Sequence, residues 1–335
     1  MSNHMESSYP QMRLRRLRNT TVIREMLEAP PPPPEKFIQP LFVVDGHSVR
    51  LPIPSLPDQY YFSVDMLAKA AESLLALGIR SVILFPRIDP ARKTLDGSAA
   101  FADEGVIQQA IRELRSRFPE MTIISDVCLS EYTTHGHSGI VGKDGLVEND
   151  LTVSSMERMA LSHASAGATI VAPSAMMDGQ VKAIRAVLDK NSFDQTLVLA
   201  YSTKFASHLY GPFRSAADSG PANGDRSSHQ VSFRDLRQAL RESYMDIAEG
   251  ADMLMVKPAG WYLDVIARLR DTTLHPLGGF QVSGEYCMIH QYANSSCGDK
   301  YLLAREALSA IFRAGADFVV TYWADRYNYV FPQQR

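Results

Sequence analysis

Cysteine is scarce in this sequence. Only Cys128, Cys287 and Cys297 occur among 335 residues, an odd number in a long chain, so a disulfide framework is excluded and reduced thiols are expected. Long apolar runs are missing too: no window approaches the roughly 18 uninterrupted apolar residues that a membrane span needs. The N-terminal MSNHMESS lacks the apolar core of a secretory signal, which makes the cytoplasm the expected compartment. Neither sign of charge is in excess, with 34 Lys and Arg against 37 Asp and Glu and a net charge of −3. That balance leaves no electrostatic footprint for nucleic acid or an anionic membrane. No GxGxxG follows an early strand and no GxxxxGK[ST] is present, which removes the usual dinucleotide and P-loop signatures. What remains is an ordinary globular composition, 45% hydrophobic and 21% charged, expecting small molecules or other protein chains as partners.

Residues 11–28 (QMRLRRLRNTTVIREMLE) start basic and continue helix-like, with Thr20 or Thr21 as N-cap. Five prolines, Pro30 to Pro34, follow; they cannot continue a helix and favour polyproline II, a stiff spacer. Residues 1–36 therefore read as an N-terminal arm with its spacer, lying on its own domain or reaching a neighbouring subunit, and residues 37–335 as the main domain.

In that domain eight short apolar runs alternate with helical patterns: FIQPLFVV (37–44), SVILF (81–85), TIISDVCL (122–129), ATIVAP (168–173), TLVLAYS (196–202), MLMVK (253–257), GGFQVS (278–283) and DFVVTYW (317–323). Helices are expected at 63–78, 104–117, 152–166, 178–189, 233–248, 261–270 and 301–313, with Gly167, Gly250 and Gly315 where helices would stop. Near-continuous apolar strands mean a parallel sheet buried on both faces. The economical closure is a (β/α)8 TIM barrel, an open doubly wound sheet being the alternative.

In a barrel the C-terminal strand ends carry the chemistry. Here they run into Tyr201-Ser202-Thr203-Lys204, Met255-Val256-Lys257-Pro258, Ser125-Asp126-Val127-Cys128, Val282-Ser283-Gly284-Glu285 and Thr321-Tyr322. Burying an ammonium is costly and depresses its pKa, so a lysine at such a position has a purpose unless it reaches solvent. Two of them aimed at one cavity disfavour each other's charge, which leaves one neutral and nucleophilic toward a carbonyl. Lysine imine chemistry is the expectation. The stretch 215–232 (SAADSGPANGDRSSHQVS) is small, polar and rich in Gly, Pro and Ser, the composition of a lid over such a site or of a plain surface loop.

The segments SDVCLSEYTTHGHSG (125–139), VAPSAMMDG (171–179), YSTKFASHLYGPFR (201–214), MVKP (255–258) and QVSGEY (281–286) together resemble porphobilinogen synthase, the 5-aminolevulinate dehydratase family. The resemblance runs from RRLR (15–18) to AGADFVVTYW (314–323). It implies a TIM-barrel lyase that condenses two 5-aminolevulinate molecules into the pyrrole porphobilinogen in tetrapyrrole and heme biosynthesis. By motif, Lys257 matches the lysine that holds the first-bound substrate as a Schiff base and Lys204 the lysine that holds the other. Asp126 matches a proton-transferring carboxylate. Ser283 and Tyr322 match the groups on the first substrate's carboxylate; Arg214, Arg226 and Gln230 match anchors for the second. Ser174, Tyr210 and Phe213 are carried over as substrate-binding residues on the same ground. The family also suggests a homo-oligomer, an octamer of arm-exchanged dimers.

The sequence departs from the family at several points. Zinc-dependent relatives read DVCLCEYTSHGHCG, and here the three cysteine positions hold Cys128, Ser130 and Ser138. Neutral hydroxyls are poor ligands for Zn²⁺, so no catalytic zinc is expected, even with His135 and His137 close by. Magnesium, which some relatives contact near the position of Glu249, gains no support from a glutamate read as a surface helix end, and no cofactor is assigned. Ala175 and Gln180 replace the Asp and Arg of PSDMMDGR; losing that carboxylate either orphans a buried partner, at about 1–3 kcal/mol, or relocates a network. Two alternatives stay open on sequence: a diverged paralogue using lysine imines on another amino-ketone or carbonyl partner in a specialised pathway, and a non-catalytic regulatory subunit.

Overall fold

A computed structural model describes residues 9–332; the MSNHMESS segment lies outside them. The chain divides into two units, Met1–Pro32 and Pro33–Arg335. In the first, a single turn at Leu14–Arg18 precedes helix α1 (Thr21–Leu27), whose N-terminus is capped by Thr20 Oγ1 accepting from the Ile23 amide at 3.2 Å. None of these residues is buried: Val22 and Met26 are each 72% exposed.

The second unit is a closed barrel. Its strands are β1 (Phe37–Val43), β4 (Ser81–Pro86), β5 (Thr122–Val127), β6 (Ile170–Pro173), β7 (Leu197–Lys204), β8 (Met253–Lys257), β9 (Leu277–Phe280) and β10 (Phe318–Val320), all parallel, with β10 pairing back onto β1 through Phe37–Val319 and Ile38–Val320. A hairpin of β2 (Arg50–Pro52) and β3 (Tyr60–Phe62) extends from β1. Around the barrel run α2 (Val64–Ala76), α3 (Val106–Arg117), α4 (Asn149–Ala166), α5 (Gln180–Lys190), the short α6 (Gly211–Ala216), α7 (Leu236–Ala248), α8 (Leu263–Thr272), α9 (Ser283–Asn294), α10 (Lys300–Arg313) and α11 (Tyr327–Val330). The eight expected strands are the eight barrel strands, because a strand covered by helices outside and side chains inside is apolar at nearly every position. Gly167, Gly250 and Gly315 sit at φ of 105°, 99° and 117°, the left-handed geometry that reverses the chain after a helix.

Differences lie where local pattern is weak. Helix α9 was not foreseen: its buried side is Ser283, Gly284, Glu285, Tyr286, Ile289 and His290, a face without an apolar stripe. The run at 278–283 stops as a strand at Phe280 because Glu285 accepts the Val282 amide at 2.7 Å and opens that helix.

Candidate active site

Strands β7 and β8 run in register as Leu199–Met253 and Ala200–Leu254, but one extra residue in β7 between Ala200 and Thr203 shifts the pairing, so that Lys204 comes to lie directly beside Lys257. Without that bulge Thr203 would occupy the place. Parallel partners point the same way, so the bulge puts both ammonium groups on one face at the C-terminal mouth. Both side chains are buried, each 5% exposed.

Lys257 Nζ stands among aromatic rings, 4.1 Å from the centroid of Phe280, 5.0 Å from Tyr201, 5.3 Å from Phe213 and 5.6 Å from Tyr210. Burial and the neighbouring Lys204 charge press its pKa down to about 7. Lys204 Nζ donates to the Ser174 carbonyl, and burial lowers its pKa as well, opposed by Cys128 and Asp126. Ser174 also donates its hydroxyl to Asp126 Oδ2 at 3.1 Å, linking the carboxylate of β5 to the lysine of β7. Burial raises the Asp126 carboxyl above the ordinary range while the two lysines pull it back. Glu131, which sequence reasoning did not single out, lines the same cleft. Burial, and then the Asp126 charge beside it, carries its carboxyl to about 7.

The cleft is walled by Phe85, Asp126, Ser130, Glu131, Ser174, Lys204, Tyr210, Phe213, Arg214, Arg226 and Lys257. Its void is about 20 Å³, roughly the room of one water molecule. Nine of these eleven are residues the sequence put forward; Phe85 hides in a strand that reads as plain core, and Glu131 follows Ser130 as one acidic residue among polar neighbours. The Tyr210 ring faces the cleft, but its hydroxyl donates to the carbonyls of Phe205 and Lys257 at 2.8 and 3.0 Å, pinning the post-β7 loop to the end of β8. Gln230, Ser283 and Tyr322 are buried outside the lining. The Ser283 hydroxyl accepts from the Phe213 amide at 3.0 Å and donates to the Leu209 carbonyl at 3.3 Å. Tyr322 stacks on Phe42, with ring centroids 6.4 Å apart. The Gln230 side-chain Nε2 and Oε1 have no hydrogen-bond partner among the described residues, nor have Arg214 Nε and Arg226 Nε; such donors and acceptors are the ones a polar ligand would satisfy.

The segment 217–230 brings Arg226 into the cleft lining and is tied to the 134–139 loop and to Lys93. Arg226 Nη2 donates to the carbonyls of Gly136 and Ser219 at 2.8 and 2.5 Å. The Ala222 amide donates to the His135 carbonyl at 2.9 Å, His137 Nε2 meets the Asn223 carbonyl at 2.9 Å, and Lys93 Nζ holds Asp218 Oδ2 at 2.7 Å.

A three-thiolate zinc site does not fit the donors present. Ser130 Oγ contacts Cys128 Sγ at 3.3 Å and donates to Glu131 Oε2 at 2.9 Å, while Ser138 Oγ pairs with His229 Nε2 at 3.2 Å. Two of the three positions are neutral hydroxyls already engaged elsewhere. Donor atoms of Asp126, Cys128 and Glu131 do gather within 4.8 Å of one another, but Lys204 and Arg226 act electrostatically on this group and offset its charge. Near the Ala175 departure the loop is held by other bonds: Asn149 brackets Asp178, accepting its amide at 2.9 Å, and Gln180 Oε1 accepts the Met177 amide at 3.1 Å. Ala175 itself is fully buried. Glu249 accepts the Lys182 amide at 3.2 Å on an exposed helix end.

The sequence profile of the delta-aminolevulinic acid dehydratase family matches residues 11–329. The delta-aminolevulinic acid dehydratase of Archaeoglobus fulgidus is 44% identical over 316 residues, 94% of this chain and 97% of that protein. That of Bacillus subtilis is 42% identical over 312 residues, 93% of this chain and 95% of the relative. The crystal structure of delta-aminolevulinic acid dehydratase (porphobilinogen synthase) from Toxoplasma gondii, in complex with the reaction product porphobilinogen, superposes with a TM-score of 0.93 at 39% identity, covering 97% of this chain and 93% of that one. With paired lysines at the mouth of a parallel barrel and likeness along almost its whole length, this chain belongs to the delta-aminolevulinic acid dehydratase family.

Proposed function

We propose that this chain condenses two molecules of 5-aminolevulinate into porphobilinogen, with release of two waters, through imines on its paired lysines. The observation that carries the reading is the side-by-side placement of Lys204 and Lys257 on β7 and β8, both buried at one cleft, in a chain of this family. With a pKa near 7, Lys257 is substantially neutral at physiological pH and able to attack a ketone. Its carbinolamine loses water to an imine, which acidifies the adjacent carbon of the bound substrate. Asp126 and Glu131 are the carboxyl groups placed to give and take protons, each raised toward neutrality by burial. Arg214 and Arg226 carry the positive charge at the lid side of the cleft and suit substrate carboxylates, which guanidinium groups can clamp bidentately. Gln230, Ser283, Tyr322 and Phe213 complete the binding shell in this assignment, Ser283 and Tyr322 by family motif. A small void under a docked lid requires the lid to lift for entry and then to exclude water from the imine.

No step is routed through zinc, because Ser130 and Ser138 cannot act as thiolates. The exposed apolar residues of the arm, Leu14, Leu17, Val22 and Met26, support a homo-oligomer in which arms cover neighbouring subunits, an octamer by family likeness. Among the described residues no helix is long and apolar enough to cross a membrane, and a cytoplasmic location is part of this reading.

The test is porphobilinogen formation from 5-aminolevulinate by purified protein after exhaustive chelation, with Lys257→Ala as blank. Pyrrole that survives chelation and vanishes in the blank is the expected result. No pyrrole with or without added Zn²⁺ or Mg²⁺ overturns the proposal.

A further inference from the structure

The serine at position 138 does something other than wait for a metal. Its hydroxyl reaches His229 Nε2 at 3.2 Å, and the other ring nitrogen of His229 meets Ser228 Oγ at 3.2 Å. His229 stands on the lid, three residues after Arg226 and next to Gln230; Ser138 stands on the loop that follows β5. The imidazole is half-buried, and burial together with the charges of Arg226 and Lys204 keeps its pKa down to about 3. It is neutral over the working pH range, so one ring nitrogen donates and the other accepts, and each finds a serine hydroxyl that can take either role.

We infer that Ser138 and His229 form a latch that holds the lid over the cleft, making both of them positioning residues for Arg226 and Gln230 in a position where zinc-dependent relatives carry a cysteine. The latch is the lid's side-chain-to-side-chain tie to the 134–139 loop; its neighbours there, Arg226 to Gly136 and His137 to Asn223, end on backbone carbonyls. Because the cleft has room for about one water when the lid is down, substrate entry must break this tie and binding must remake it. The bond is present in the closed lid both before and after binding, so it cancels from substrate affinity and sets how readily the lid opens. The catalytic part of this inference rests on the proposed activity; the latch itself does not.

The experiment follows amide hydrogen exchange of residues 217–230 in the ligand-free full chain, for the native protein, Ser138→Ala, His229→Phe, His229→Gln and the Ser138→Ala/His229→Phe pair. A net hydrogen bond of ordinary strength predicts lid exchange faster by about 2- to 10-fold in either single variant. The double variant should exchange no faster than the singles, since both remove one shared bond. His229→Gln, which keeps a side-chain amide able to bond Ser138, should fall closer to the native rate. In turnover, KM for 5-aminolevulinate and kcat should both stay within about twofold of native, because the bond is lost equally from the free and the bound closed lid. Unchanged lid exchange in either single variant, single effects that multiply in the pair, or Zn²⁺ slowing lid exchange of the native protein overturns the latch. If the native chain makes no pyrrole while the exchange pattern holds, the activity reading fails and the latch stands.

Discussion

Replacing Lys257 with methionine should abolish imine formation at that position and make the protein more stable, by an amount that depends on pH. Methionine keeps the unbranched chain among Phe280, Tyr201, Phe213 and Tyr210 but removes the buried amine. The lysine pKa falls from 10.5 to about 7 on folding, which corresponds to about 5 kcal/mol of unfavourable burial of the ammonium form. Between pH 7 and 10.5 the unfolded chain binds the proton that the folded chain has released, so native stability rises with pH by about 1.4 kcal/mol per pH unit from this group and is flat below pH 7. The penalty is therefore complete at pH 6 and relieved by about 3 kcal/mol at pH 9. The carboxyls raised by burial, Glu131 and Glu285 to about 7, act in the opposite sense below pH 7 and contribute little slope above it. Guanidinium unfolding at fixed protein concentration, at half-unit steps from pH 6 to 9.5, follows both buried lysines in the native protein, and the difference between native and Lys257→Met isolates Lys257. The expected outcome is a native protein that gains stability with pH and a Lys257→Met variant that lacks most of that gain and exceeds the native protein below pH 7. Parallel pH profiles for the two proteins would refute the claim that this lysine is forced toward neutrality.

Two further changes probe the surroundings. Arg214→Ala should raise KM for 5-aminolevulinate by about 10- to 100-fold, the worth of a charge-assisted carboxylate contact, while borohydride still traps the substrate on Lys257; an unchanged KM would remove Arg214 from substrate binding. Glu285→Ala should destabilise by about 2–6 kcal/mol in denaturant unfolding, because the Gly260 and Val282 amides, both 2.7 Å from this carboxylate, lose their acceptor in a buried place; a loss below 1 kcal/mol would mean that water replaces it.

Much of the barrel was legible in the sequence, and for a definite reason. A parallel strand buried on both faces is apolar at every position, so the eight runs between turn residues identified themselves, and the lysines ending two of them stood out against that background. Helix α9 did not stand out, because Gly284, Glu285 and His290 face inward and an inward face held by hydrogen bonds leaves no apolar period. Phe85 and Glu131 were hidden for related causes: one resembles any core phenylalanine, and the other becomes a cleft residue only when β5, β7 and the lid converge. Ser138 was read as a missing ligand, and only the approach of His229 from 91 residues away turned it into a contact.

The sequence by itself determined the alternation of strand and helix, the glycine stops and the presence of two lysines, an aspartate and the lid arginines, since these follow from side-chain chemistry and local backbone preference. The tertiary structure alone decided how those groups meet. One extra residue between Ala200 and Thr203 brings Lys204 level with Lys257; a one-residue change of register turns a side chain to the opposite face of a strand, and no local pattern in β7 reports which neighbour it will have. The shared burial that pushes the pKa of Lys257 down toward neutrality exists only once the barrel has closed around it.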